Sequence, residues 1–178
     1  MQQLHCFNLS KQNILKISKL KMDDVEMIAN VKVTVDGIWP KRGHSSKTGV
    51  VFVLSVVTGE NLDYKVKSLI CHECQAYKQN DKDSDDVYKA WKENHQATCQ
   101  INHSITSEEM EASAAVQIFV RSISNLQLKY TTFVGDGVSS SFGKLQEAMK
   151  ATFGGKYVVE KGECVGHVQK RMGTAGTQ

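Results

Sequence analysis

The residues from Val31 to Ser46, VKVTVDGIWPKRGHSS, constrain this chain more than any other stretch, because an alternating β-branched run leads straight into one acidic side chain. Val31, Val33 and Val35 fall on one face and Lys32 and Thr34 on the other, the period-two signature of a strand with one buried side. Asp36 then stands where the strand is expected to end, followed by Gly37, which frees the backbone. A carboxylate at the mouth of a sheet is suited to bind a hard cation such as Mg²⁺ through oxygen.

At 178 residues with 40% apolar side chains, the chain has enough material for one domain with a substantial core and a small insertion. The net charge of +3 permits a nucleic-acid partner without demanding one, and no long basic block stands out. Five cysteines at uneven spacing, with no signal peptide, argue against a disulfide framework and for a reducing compartment. No apolar run approaches the roughly 18 residues that span a bilayer, so a soluble, intracellular protein is expected. Pro40 is the only proline, and there is no internal repeat or low-complexity tract.

Ile14, Leu15, Ile17 and Leu20 are interleaved with lysines and spread around more than half of a helical wheel. Residues 1–30 therefore carry no structural assignment. After the first strand, Gly49–Thr58 and Asn61–Ile70 read as two further strands separated by a Gly59-Glu60 turn, which predicts an antiparallel meander. From Cys71 to about Thr106 the pattern breaks into polar, Cys/His-rich sequence and reads as an insertion, residues 71–106.

From Ser107, Met110, Ala114 and Ile118 recur at i+4, with Ser107 as N-cap and Glu108 and Glu109 in the first turn, which predicts a helix. A fourth strand, Lys129–Val134, runs into Gly135-Asp136-Gly137. A second helix follows through Phe142, Leu145 and Met149, and Tyr157–Val159 opens a fifth strand that leads to Glu163, Cys164 and His167. The chain then turns basic at Lys170 and Arg171. The order β-β-β-α-β-α-β predicts an α/β fold whose mixed sheet is covered on both faces.

Two constellations carry chemistry. Asp36 and Asp136 each close a predicted strand and each precede glycine; if those strands are neighbours, the two carboxylates share one sheet end and can hold divalent cations for phosphodiester cleavage. Acid-glycine dipeptides are also ordinary turn formers, which is the competing reading of each alone. The second constellation is Cys71, Cys74, His95 and Cys99, a CxxC followed by HxxxC. His95 and Cys99 at i, i+4 lie on one face of the helix suggested by Val87, Trp91 and His95, and four such ligands close a tetrahedral structural zinc site. His103 could replace either helical ligand; His72, inside the knuckle, is less suited. Cys164 and His167 form a CxxH beyond the fifth strand, where a buried thiol and a hydrogen-bonded histidine are the simpler reading. Trp39 and Trp91 read as packing residues.

In this order, the segments VTVDGIWPKRGHSS, the Cys71-to-Cys99 cluster with WKENH, MEASAAVQIFVRS, YTTFVGDG and ECVGHVQKRMGT resemble the Mutator-like transposase domain, over about Val33 to Thr174. The resemblance implies an RNase H-like fold, with residues 31–178 a partial transposase domain. It also implies DNA transposition: strand cleavage and transfer by an Asp, Asp, Glu triad with Mg²⁺ or Mn²⁺. Asp36 would be the first acid and Asp136 the second, with Cys164 and His167 matching the CxxH that follows. It further implies DNA as partner, with self-association into a homo-oligomer open, and the nucleus as location. The chain departs from the pattern at Val138, where a further acid is expected, and at Ile38, where threonine is usual. No carboxylate side chain follows Glu163, and Glu111 sits too early to serve as the third acid, so little or no nuclease activity is expected of the chain alone. The alternative is a non-catalytic, transposase-derived module that binds DNA or protein.

Overall fold

Strand alternation and a parallel crossover together set the frame. In the computed structural model, which describes residues 28–41, 46–79, 84–135 and 139–162, β1 (Ala29–Ile38) buries Val31, Val33 and Val35 and exposes Lys32 and Asp36. β2 (Thr48–Ser55) returns antiparallel beside it, and β3 (Asn61–Ser68) turns back once more. The turn between them closes on Gly59 at φ +70, a left-handed position that glycine adopts without steric cost. The expected meander is present, with β2 and β3 each ending a few residues earlier than the sequence suggested.

Two short helices follow, α1 (His72–Gln79) and α2 (Asp85–His95), then the long α3 (Ser107–Leu126), β4 (Leu128–Val134), α4 (Ser139–Phe153) and β5 (Glu160–Gly162). The sheet runs β3-β2-β1-β4-β5, and β4 lies parallel to both β1 and β5. This is a mixed five-stranded sheet with four helices among the described residues. Two expectations shift. Thr106, not Ser107, holds the N-cap position of α3, and β5 begins at Glu160, just after the buried Tyr157 and Val159.

One sheet face carries the core. Val33, Val35, Val51 and Val53 pack against Ala114, Ala115, Ile118 and Phe119 of α3 and Leu145 and Met149 of α4. Burying side chains of this size contributes about 1.5–3 kcal/mol each. Asp63, across from Val53, shares that face, and α3 meets it with Arg121, whose Nε and Nη2 donate to the carboxylate at 2.9 and 2.7 Å. Trp39 joins the core from beyond β1: a Cβ on Gly49 would lie 1.9 Å from its ring, so only glycine lets the indole lie on β2. Trp39 is thus a packing residue, as its sequence context suggested.

The opposite face differs from expectation. Paired residues of antiparallel strands share a face, so Asp36 with Phe52, Thr34 with Leu54 and Ile38 with Val50 lie together on it. Ile38 is 61% and Val66 46% exposed, and α3 and α4 pack on the other side. The prediction of a sheet covered twice therefore holds for one face of the described structure.

Candidate metal centre and acidic strand end

Between β3 and α3 the chain has little apolar material to bury. Among its described residues only Cys71, Cys74, His95 and His103 are buried. What holds the insertion together is instead polar and aromatic. Asn102 fastens it to the free edge of β3: its Oδ1 accepts from the Ser68 N–H at 2.9 Å, its Nδ2 donates to the Val66 carbonyl, and its own N–H donates to the Ser68 carbonyl. Trp91 stacks on Tyr77 at 4.1 Å and on His95 at 4.7 Å, a ring column that fixes the imidazole in plane.

Cys71 stands just before α1, Cys74 in its first turn, His95 at the end of α2 and Cys99 in the turn beyond. Their donor atoms all lie within 4.8 Å of one another. Cys71 Sγ is 3.3 Å from His95 Nε2, and Cys74 Sγ is 3.7 Å from Cys99 Sγ. A tetrahedron built on zinc–sulfur bonds has edges of about 3.8 Å, so the donors already stand at coordination spacing. Three thiols and an imidazole are a donor set that could hold a metal such as zinc.

The surroundings orient these donors. Glu73 Oε2 lies 3.0 Å from His95 Nδ1, which leaves Nε2 turned toward the thiols, the arrangement that fixes the tautomer of a metal-binding histidine. Thr98 Oγ1 lies 3.2 Å from the same Nδ1. Backbone N–H groups of Gln100 and Cys74 bring the Cys71 thiol down to about 6 against the upward push of burial, with His95 adding to the effect. Burial pushes the Cys74 thiol up, and the Lys92 ammonium, 3.2 Å from its sulfur, opposes that.

His103 does not stand with the four. Its Nε2 bonds the Thr106 carbonyl at 3.0 Å, at the entrance to α3. Nor does His72, which is exposed. Sequence reasoning overlooked Lys92 and Glu73, although both carried a positional signal: Lys92 is one helical turn before His95, and Glu73 lies inside the knuckle.

At the other candidate site, Asp36 is exposed and its Oδ1 accepts the N–H of Gly37 at 2.9 Å. The sequence set Asp36 at the strand's end, whereas β1 continues to Ile38 along β2; only its pairing with β4 stops earlier, at Thr34 opposite Val134. The Thr34 hydroxyl ties that last rung, donating to the Val134 carbonyl at 2.8 Å. β1 and β4 are thus adjacent and parallel, the condition the paired-acid reading required. Asp136, Glu163, Cys164, His167, Lys170 and Arg171 lie outside the described residues.

No helix of the described residues is long and apolar enough to cross a membrane. No curated protein and no solved structure matches the chain. The family of Mutator-like transposases does, over residues 8–178, which takes in the strand bearing Asp36, the Cys/His insertion and both long helices. On that match the chain belongs to the Mutator-like transposase family.

Proposed function

We propose that this chain is part of a DNA transposase catalytic domain of RNase H-like type, in which Asp36 and Asp136 hold Mg²⁺ or Mn²⁺ and Cys71, Cys74, His95 and Cys99 hold a structural Zn²⁺. The observation that carries the first half is the parallel pairing of β1 and β4, whose last rung, Thr34 opposite Val134, comes two residues before Asp36 in one strand's sequence and two before Asp136 in the other's. Divalent cations at such a pair supply activation of water and stabilisation of the leaving oxygen in phosphodiester cleavage. Asp36 contributes an exposed carboxylate on a strand held on its β2 side through Gly37 and Ile38. With two acids of a three-acid set in hand, cleavage by the chain alone is expected to be weak. On this reading the protein works on DNA in the nucleus, and its binding weakens steeply with salt as phosphate contacts are screened.

The test is calorimetric. Mn²⁺ titrated into zinc-loaded wild type should give a binding heat that Asp36→Ala abolishes, and equal heats in the two proteins would overturn the assignment. Robust Asp36-dependent cleavage of nicked DNA would overturn the expectation of weak activity. A second reading, a transposase-derived module that binds DNA or protein without cutting it, is favoured by the fully assembled Cys/His cluster, which takes nothing from the acids. It requires zinc and no heat from Mn²⁺ in either protein.

A further inference from the structure

The two helices of the insertion brace each other across the Cys/His cluster. α1 supplies Cys74 and, one residue earlier, Glu73, whose carboxylate reaches His95 of α2. α2 supplies His95 and, one turn earlier, Lys92, whose ammonium reaches back to Cys74 of α1 at 3.2 Å. Each helix therefore gives one donor and one clamp on the other helix's donor.

The charges of the two clamps differ in consequence. Three thiolates and a neutral imidazole around a divalent cation leave one net negative charge. The Glu73 side chain is 68% exposed, so water solvates its carboxylate. Lys92 is half-buried and its ammonium lies 3.2 Å from the sulfur of the buried Cys74, a contact more shielded from water than the Glu73 carboxylate. A charge-assisted N–H···S bond draws electron density from the thiolate, lowers its nucleophilicity and strengthens with burial.

We propose that Lys92 is a positioning residue of the metal centre: its ammonium donates to Cys74 Sγ, neutralises the excess charge of a three-thiolate site, and keeps that thiolate bound to the metal and unreactive. This rests on the zinc reading given above. It makes the centre a closed, slowly exchanging one, with Cys74 shielded from electrophiles and the half-exposed Cys99 the more accessible sulfur.

The test uses the full chain loaded with Zn²⁺ or Co²⁺, as wild type, Lys92→Met and Lys92→Arg. Metal content is measured first: a wild type that binds no stoichiometric zinc overturns the zinc reading itself, before Lys92 is in question. Given one equivalent bound, Lys92→Met should release zinc to a chelator about tenfold faster, the usual scale for loss of a hydrogen bond to a metal ligand. Its Cys74 should be carbamidomethylated by iodoacetamide several-fold faster relative to Cys99 in the same molecule. The sulfur-to-cobalt charge-transfer band should move to longer wavelength, since a thiolate without its donor is easier to oxidise. Lys92→Arg, which keeps a cationic N–H donor, should restore all three toward wild type. An unchanged band and unchanged Cys74 reactivity in Lys92→Met would overturn the proposal, even if zinc release quickened, because packing alone could do that.

Discussion

Lys67 is the residue whose place is hardest to reconcile with its chemistry. It lies opposite Gly49 on the core face of β3 and is 1% exposed. Burial, with the nearby Lys65 charge adding to it, lowers its pKa from the ordinary lysine value. The linkage has a definite sign. A lysine whose folded pKa lies below its unfolded one is protonated more readily in the unfolded chain, so it destabilises the fold at neutral pH, and stability recovers as pH rises through the folded value toward 10.5. Lys67→Met is expected to raise stability at pH 7 by about 1 kcal/mol and to flatten the rise as pH climbs toward 10.5, read as urea midpoints across that climb. In the sequence, NLDYKVKS alternates so that Leu62, Tyr64 and Val66 look like the inward set. The register shift at Val53/Leu54 defeats this: Leu62 is buried, yet Asp63 and Lys67 also face the helices, and Tyr64 and Val66 lie on the open side. An irregularity of one residue inverts a strand's faces, and composition gives no warning of it.

Among the elements, α1 and α2 depend most on something other than an apolar core. They have 8 and 11 residues, too few for stability as isolated helices, and among the described residues the buried side chains they contribute are Cys74 and His95. Removal of metal with a strong chelator is therefore expected to melt both helices while leaving the sheet and the α3–α4 layer folded. Far-UV circular dichroism should lose helix signal, and Trp91 emission should change as its stack on His95 opens; Zn²⁺ should restore both. A chelated protein with an unchanged spectrum would show that the ring column alone holds the insertion. This element was legible in outline, since the spacing of Cys71, Cys74, His95 and Cys99 selected the four residues that cluster. Its clamps were not, because Glu73 and Lys92 on short helices look like ordinary solvated charges until a partner helix is placed beside them. His103, left open as a substitute ligand, is taken up by the Thr106 carbonyl at the entrance to α3, an outcome that spacing alone could not decide.

For the whole molecule, the frame was readable wherever one face of an element is apolar: the meander, the i+4 rows of α3 and α4, and β4 all lie where their periodicity puts them. Coverage of the sheet was not, because half-apolar residues such as Thr34, Phe52 and Tyr64 fit a second packed layer and an open surface equally well. Phe52 and Tyr64 meet on that surface with ring centroids 6.0 Å apart, flanked by Ile38 and Val66. An exposed apolar sheet face promotes association. Replacing Ile38 and Val66 together by lysine should leave the urea midpoint within about 0.5 kcal/mol of wild type and lower the concentration-dependent light scattering of the full chain. A large loss of stability would instead mean that this face is packed.

The early parting of β1 from β4 has a consequence for where ligands can go. After their last rung the chain leaves β1 toward β2 on one flank and leaves β4 toward α4 and β5 on the other, so the central pair forms a topological switch point. In open α/β sheets ligands bind outside the carboxyl ends of two such strands. Asp36 lies two residues past the last rung of that pair, on the β1 side, where such a ligand would meet it.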